Sequence, residues 1–255
     1  MSTGIASGLA GPAIAEALLH AWETLRQAGP IERAIGLLDA VWPEHGRDRW
    51  RALSIGDRDA CLFLLQASLF GEELKTVATC PACGERLESS FAAGAACPSP
   101  THWPQPREPQ QLDHGPWRIR YRLPSSDDLM SSSGDDDGGD PVASLLRRCV
   151  LAAERDGRAH NAAQLPDEVR RRIGDAMSEH DPVADLRVGV TCPACGHAWS
   201  AALDIVAYVW EELDDWAQDL LAEVHVLARH YAWSERDILA LSPVRRRFYL
   251  DLLQA

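Results

Sequence analysis

The hexapeptide Thr-Cys-Pro-Ala-Cys-Gly occurs twice, at Thr79–Gly84 and at Thr191–Gly196. Two cysteines separated by two residues can present both thiolates to one metal ion from a single tight turn. The proline and glycine shape that turn so that backbone N–H groups can point at the sulfurs. One such knuckle supplies two ligands, and a closed tetrahedral site needs four. Cys80, Cys83, Cys192 and Cys195 therefore read as a matched set for one structural Zn2+ shared by distant parts of the chain, with the Cys80 and Cys192 sulfurs within about 4 Å. Other readings stay open at this point. Cys80, Cys83, Cys97 and His102 have the spacing of a local site, which would leave Cys192 and Cys195 with only His197 nearby. A redox pair would need its Cys-x-x-Cys at a helix N-terminus after a strand, and here strand-like sequence follows. The last alternative is four reduced thiols without metal. Cys61 and Cys149 lie on apolar helical stripes and read as core residues.

Four thiolates close a zinc site, whereas a catalytic zinc keeps a position open for water. No G-x-S-x-G, P-loop, G-x-G-x-x-G or H-E-x-x-H string is present, and the carboxylates are scattered over helical faces as solvating charge. The expectation is a protein that is not an enzyme. Candidate partner-binding residues come from two patterns. Arg118, Arg120 and Arg122 alternate along one face of "GPWRIRYRLP", where a solvated strand face competes with a contact to an acidic partner. Trp210 and Trp216 lie on a helix that begins just after the second knuckle, where a core role competes with an interface. "RRRFYL" (Arg245–Leu250) reads as a helix face or a partner contact.

Around the knuckles the periodicity changes twice. Three helices come first: "PAIAEALLHAWETLRQAGP", a second beginning near Pro30, and a third capped by Ser54 with Asp57. "ERLESSF" and "GPWRIRYRLP" then alternate as strands. Proline-rich "CPSPTHWPQPREPQ" between them reads as an extended loop. "SSDDLMSSSGDDDGGD" reads as a solvated acidic linker. Its Asp135 and Asp137 suggest a calcium loop, but Gly139 holds the third ligand position and no closing glutamate follows. Two helices come next, "PVASLLRRCVLAAERDG" with Leu145, Leu146, Cys149 and Val150 on one stripe, and "LPDEVRRRIGDAM". "DLRVGVT" and "HAWSAALDI" flank the second knuckle as strands. A long helix from about Val206 and shorter ones after Ser234 and Pro243 close the chain.

The resulting fold class is α+β, mostly helical: a central zinc-ribbon-like antiparallel β unit with a long insertion, flanked by helical segments. The divisions are an N-terminal helical region (1–75), the first half of the ribbon-like unit (76–125), the acidic loop and helical insert (126–183), the second half (184–206) and a C-terminal helical region (207–255). A formal net charge of -13 over 255 residues disfavours nucleic acid, which calls for a basic face, and anionic membranes. No basic n-region opens the chain and no apolar run reaches the roughly 18 residues of a membrane span, so synthesis in the cytoplasm is expected.

"LSIGDRDACLFLLQASLFGEELKTVATCPACGERLE", "WRIRYRLPSSDDL", "LLRRCVLAAERDG" and "CPACGHAWSAALDIVAYVWEELDDWAQDLLAEVHVLARHYAWSERDILALSPVRRRFYL" together resemble a phage baseplate protein family of contractile tails and extracellular contractile injection systems. Its members include relatives of the T-even phage baseplate hub assembly chaperone. The resemblance implies a structural or assembly role without catalysis, and partners among other baseplate or tail proteins. It carries over Cys80, Cys83, Cys192 and Cys195 as the paired cysteines, and Trp233, Ile238, Leu239, Arg246 and Tyr249 as tail positions. Of these, Trp233, Arg246 and Tyr249 join the candidate partner contacts. The alternative is a zinc-ribbon regulatory or nucleic-acid-binding protein.

Overall fold

The computed structural model describes residues 12–98, 100, 102–133 and 140–253. Four helices open it: α1 (Pro12–Leu25), α2 (Pro30–Val41), α3 (Arg47–Ala52) and α4 (Ile55–Phe70). Pro30 stands at the first turn of α2, where its missing N–H costs nothing. Ser54 caps α4 by accepting from the Asp57 N–H at 3.2 Å. The unforeseen α3 is short, and packing fixes it: its Trp50 is fully buried.

Strands β1 (Glu73–Thr79) and β2 (Arg86–Ala92) form an antiparallel hairpin, followed by a single helical turn, α5 (Ala93–Ala96). A second sheet has four antiparallel strands in the order β3 (Gln110–His114), β4 (Trp117–Tyr121), β5 (Val150–Arg155) and β6 (Arg158–His160). Helices α6 (Ser126–Ser133) and α7 (Pro141–Cys149) connect β4 to β5, and α8 (Asp167–His180) follows β6. Strands β7 (Arg187–Thr191) and β8 (Ala198–Ala202) make the third sheet, again a lone hairpin. Helix α9 (Ile205–Tyr231), α10 (Glu235–Leu239) and α11 (Pro243–Leu252) complete the chain.

The architecture is α+β, with small antiparallel sheets among helices. Three elements differ from the sequence reading. Part of the expected acidic linker is α6; Asp135, Asp137 and Gly139 lie outside the described residues. The stripe Leu145, Leu146, Cys149, Val150 does not continue as one helix: the backbone turns into a strand at Val150 because β4 offers it pairing from Tyr121 to Trp117. The proline-rich segment is not merely a loop, since its end supplies β3. The Arg-bearing strand β4 pairs with β3 and β5, and the two hairpins share no ladder with each other.

The main core joins α1, α2, α3 and α4 to the base of the first hairpin (Leu74, Ala93) and to α9 as far as Leu220 (with Val209 and Leu213). A second core lies between the four-stranded sheet and α8, with Ile119, Tyr121, Cys149, Val169 and Ile173. The units meet at the N-terminus of α4. There the Ile55 N–H donates to Pro124 O (3.1 Å) and the Gly56 N–H to Asp181 Oδ2 (3.0 Å). Only glycine fits at 56: a Cβ would fall 2.0 Å from Asp181 Oδ1 and 3.0 Å from the Ala184 nitrogen. Arg107 reaches the same place, donating to both Asp57 carboxylate oxygens and to His180 O.

Helix α6 is held by its surroundings more than by its Ser/Asp-rich sequence. Asp128 is buried, accepts two hydrogen bonds from the Arg122 guanidinium (2.5 and 2.7 Å), and also accepts from the Ser125 N–H and hydroxyl (both 2.9 Å). Burial pushes this carboxyl up, but Arg122 and Ser125 outweigh it and hold it below the usual carboxylate range. Its stabilising contribution is therefore complete at neutral pH and is lost as pH falls through the folded-state value. Asp128→Ala is expected to cost about 2–3 kcal/mol at neutral pH in urea unfolding, toward the low end for a buried pair because Arg122 is partly exposed. The difference from wild type should shrink in acid.

Candidate metal centre

Both Cys-Pro-Ala-Cys-Gly segments are hairpin tips, and their wiring is the same. In the first, the Cys80 N–H donates to Glu85 O (2.8 Å) and the Gly84 N–H to Cys80 O (2.9 Å). In the second, the Cys192 N–H donates to His197 O (2.9 Å) and the Gly196 N–H to Cys192 O (2.9 Å). Gly84 and Gly196 adopt φ of 79° and 72°, a left-handed conformation glycine reaches without a Cβ clash. The position between two strands is also unlike a redox pair at a helix N-terminus.

The tips face each other. The four Sγ atoms lie within 4.8 Å of one another, and no disulfide joins them. Across the gap, Cys80 Sγ is 3.7 Å from Cys195 Sγ, and Cys83 Sγ is 3.6 Å from Cys192 Sγ. A regular tetrahedron built on metal–sulfur bonds of about 2.3 Å has edges of about 3.8 Å, so donor set and spacing fit one four-coordinate ion. The closest contacts pair the first cysteine of one tip with the second of the other. Cys80 and Cys192, expected within about 4 Å, are held only to the 4.8 Å limit of the whole group.

The turns also act on the thiols. Burial pushes Cys80 up, but the N–H groups of Cys83 and Ala82 and the thiols of Cys83 and Cys195 outweigh it, bringing the group down to about 7. At Cys83 the Glu85 N–H pulls down, while hydrogen bonding with Cys195, burial and the other two thiols push it up to about 12. Cys195 is also raised on balance, although the His197 N–H and Cys83 lower it. A bound cation would displace the protons that Cys83 and Cys195 hold. The core cysteines contrast with them: burial pushes Cys61 and Cys149 to about 12 and Cys97 to about 11. Cys97 sits in the helical core, outside the four-sulfur group, so the local set with His102 is not assembled. The His197 ring stacks on Trp199, with centroids 6.0 Å apart. The amides of Ala82, Glu85 and His197, each facing a sulfur, are invisible to a search by side-chain type.

Each hairpin is fastened to α9. Tyr208 on α9 accepts from the Lys75 N–H of β1 at 3.0 Å. The Leu203 N–H donates to Leu186 O at 2.9 Å, closing the base of the second hairpin, and Asp204 then caps α9 by accepting from Val206 and Ala207.

The candidate partner residues fall into two groups. Arg120 is exposed on β4, and Arg118 is exposed beside Asp113 at 3.4 Å, with Glu154 opposite it in the ladder. Arg122 turns inward to Asp128. Trp210 is 9% exposed, with the Arg33 guanidinium 4.1 Å above its ring, and Trp216 packs at the edge of the main core. Arg246 is 5% exposed and donates to Glu223 and Leu241 O. Trp233 and Tyr249 pack on each other and on Tyr231. Arg122, Trp210 and Arg246 thus hold elements together within the chain.

With one ion joining the tips, Cys80→Ser and Cys192→Ser should destabilise equally, on the order of several kcal/mol. Urea unfolding with and without a chelator checks this: chelation should bring wild type down to the variants. Unequal losses would mean the two tips do not share a metal.

Residues 26–206 match the family described as T4 bacteriophage base plate protein. Comparisons with curated proteins and with solved structures found no match. The matched segment takes in both cysteine hairpins and everything between them, and stops just inside α9, short of the tail that the sequence resemblance had included. Matched over most of its length, the chain belongs to the T4 bacteriophage base plate protein family.

Proposed function

We propose that this chain is a non-enzymatic structural or assembly (chaperone-like) protein of the baseplate of a phage-tail-like contractile injection system, stapled by a structural four-cysteine zinc site of zinc-ribbon type. The observation that carries the reading is the convergence of four cysteine sulfurs, from two hairpins inside the family-matched segment, at the spacing of one tetrahedral ion. Zinc suits this donor set because thiolates satisfy it in a closed tetrahedron. Such a site leaves no position for a reacting water, so the ion would act as a cross-link. Cys80, Cys83, Cys192 and Cys195 would hold it, with the turn amides supporting the sulfur charge. Partners are other baseplate or tail proteins. Nucleic acid fits poorly with a net charge of -13, and Arg122 and Arg246 are committed to carboxylates within the chain. Among the described residues no helix is long and apolar enough to cross a membrane.

Mass spectrometry of purified particles, paired with deletion of the gene, tests the role. A permanent subunit appears in the particle. A transient assembly factor is absent from it, yet particles fail to form without the gene. Absence from particles together with normal assembly after deletion would overturn both versions. Elemental analysis of the purified protein should give about one zinc per chain.

A further inference from the structure

Of the six large apolar side chains left exposed among the described residues, three lie on the ten-residue helix α11: Val244 (80% exposed), Phe248 (60%) and Leu252 (53%). They stand at i, i+4 and i+8, which places them on one face of the helix. The opposite face is committed. Arg246 is buried against Glu223 and Leu241 O, and the Tyr249 ring packs 5.0 Å from that of Trp233. The docked side therefore holds the arginine and tyrosine that sequence analysis singled out, and the free side is an apolar stripe it did not.

The stripe has a charged border. Arg245 and Arg247 are exposed beside it. Arg247 pairs with Asp251 along the helix at 3.1 Å, while the Arg245 guanidinium has no ion-pair partner among the described residues. An apolar stripe edged by cations is unusual on a chain of net charge -13, and it selects for a partner of opposite charge. A second copy does not supply one. Pairing α11 antiparallel with itself would set the Arg245 flank of the stripe against the same flank of the copy, where α11 has no carboxylate, and Asp251 on the other flank is already paired with Arg247. We infer that the outer face of α11 is a docking surface for an acidic amphipathic helix of another protein, apolar residues meeting Val244, Phe248 and Leu252 and carboxylates meeting Arg245 and Arg247. Apolar residues at i, i+4 and i+8 form the stripe by which an amphipathic helix packs against a neighbouring element. The inference rests on the baseplate reading only for which proteins carry the partner helix.

The probe is a synthetic peptide of about four helical turns, with leucines along one stripe and glutamates on both sides. Binding to the full-length protein is followed by fluorescence polarisation. A second peptide has lysine at every glutamate position. The glutamate peptide should bind saturably and more weakly as salt rises, and the lysine peptide should not bind. Phe248→Asp and Arg245→Glu should each weaken binding at least about tenfold. Both positions are exposed, so thermal unfolding of the two variants should match wild type. No saturable binding, or equal binding of the two peptides, would overturn the proposal. So would a concentration-dependent dimer in sedimentation that Phe248→Asp abolishes, or cosedimentation with phosphatidylserine vesicles. Peptide binding does not depend on metal content or particle incorporation, so a failure here is distinguishable from a failure of the baseplate reading.

Discussion

Four sulfur atoms from two tips 109 positions apart or more meet within 4.8 Å of one another, and the chain has to carry them there on two separate hairpins. A two-stranded hairpin is marginal in water on its own, and here there are two, each with few buried side chains. Each is secured at both ends. Its base is tied to α9, through Tyr208 in one case and through direct continuation in the other. Its tip meets the other tip. Because α4 and α9 share the main core, an ion held by the four sulfurs would close the path from α4 through one hairpin, down the other and into α9 into a ring. Cross-linking across so long a stretch of chain removes considerable freedom from the unfolded state.

The unit between the hairpins has its own core, and its connections are concentrated. Its chain passes Ile55 at Pro124 and Gly56 at Asp181, so two distant segments touch α4 at adjacent residues. The segment belongs to the family match as a whole.

Local chemistry was legible in the sequence where it is self-contained. The Ser54 and Ser234 caps form as the residue spacing implies. β4 buries Trp117, Ile119 and Tyr121 and exposes Arg118 and Arg120, as its alternation requires. The duplicated hexapeptide brings its four sulfurs together. What escaped notice depends on partners distant in sequence. β5 takes its conformation from β4 and overrides a helical pattern. α6 depends on Arg122 reaching Asp128. Trp103, in a proline-rich segment with no periodicity, packs against Trp42, Trp50 and His45. Which face of α11 turns inward is set by Glu223 on α9, not by the order of residues in "RRRFYL".

Helix α9 begins at the hairpin base and runs 27 residues to Tyr231, a rod of about 40 Å at 1.5 Å per residue. Its residues as far as Leu220 are embedded in the main core, while its far end carries α10, α11 and their small aromatic cluster, with Leu239 of α10 packing back on that core. The geometry is that of a lever with its fulcrum at the hairpin bases, a strand length away from the sulfurs. A tilt of about 5° at the fulcrum displaces the tail by about 3 Å, comparable to the reach of a side-chain contact. The packing of α9 among α1, α2 and α4 thus sets how accurately its far end is aimed.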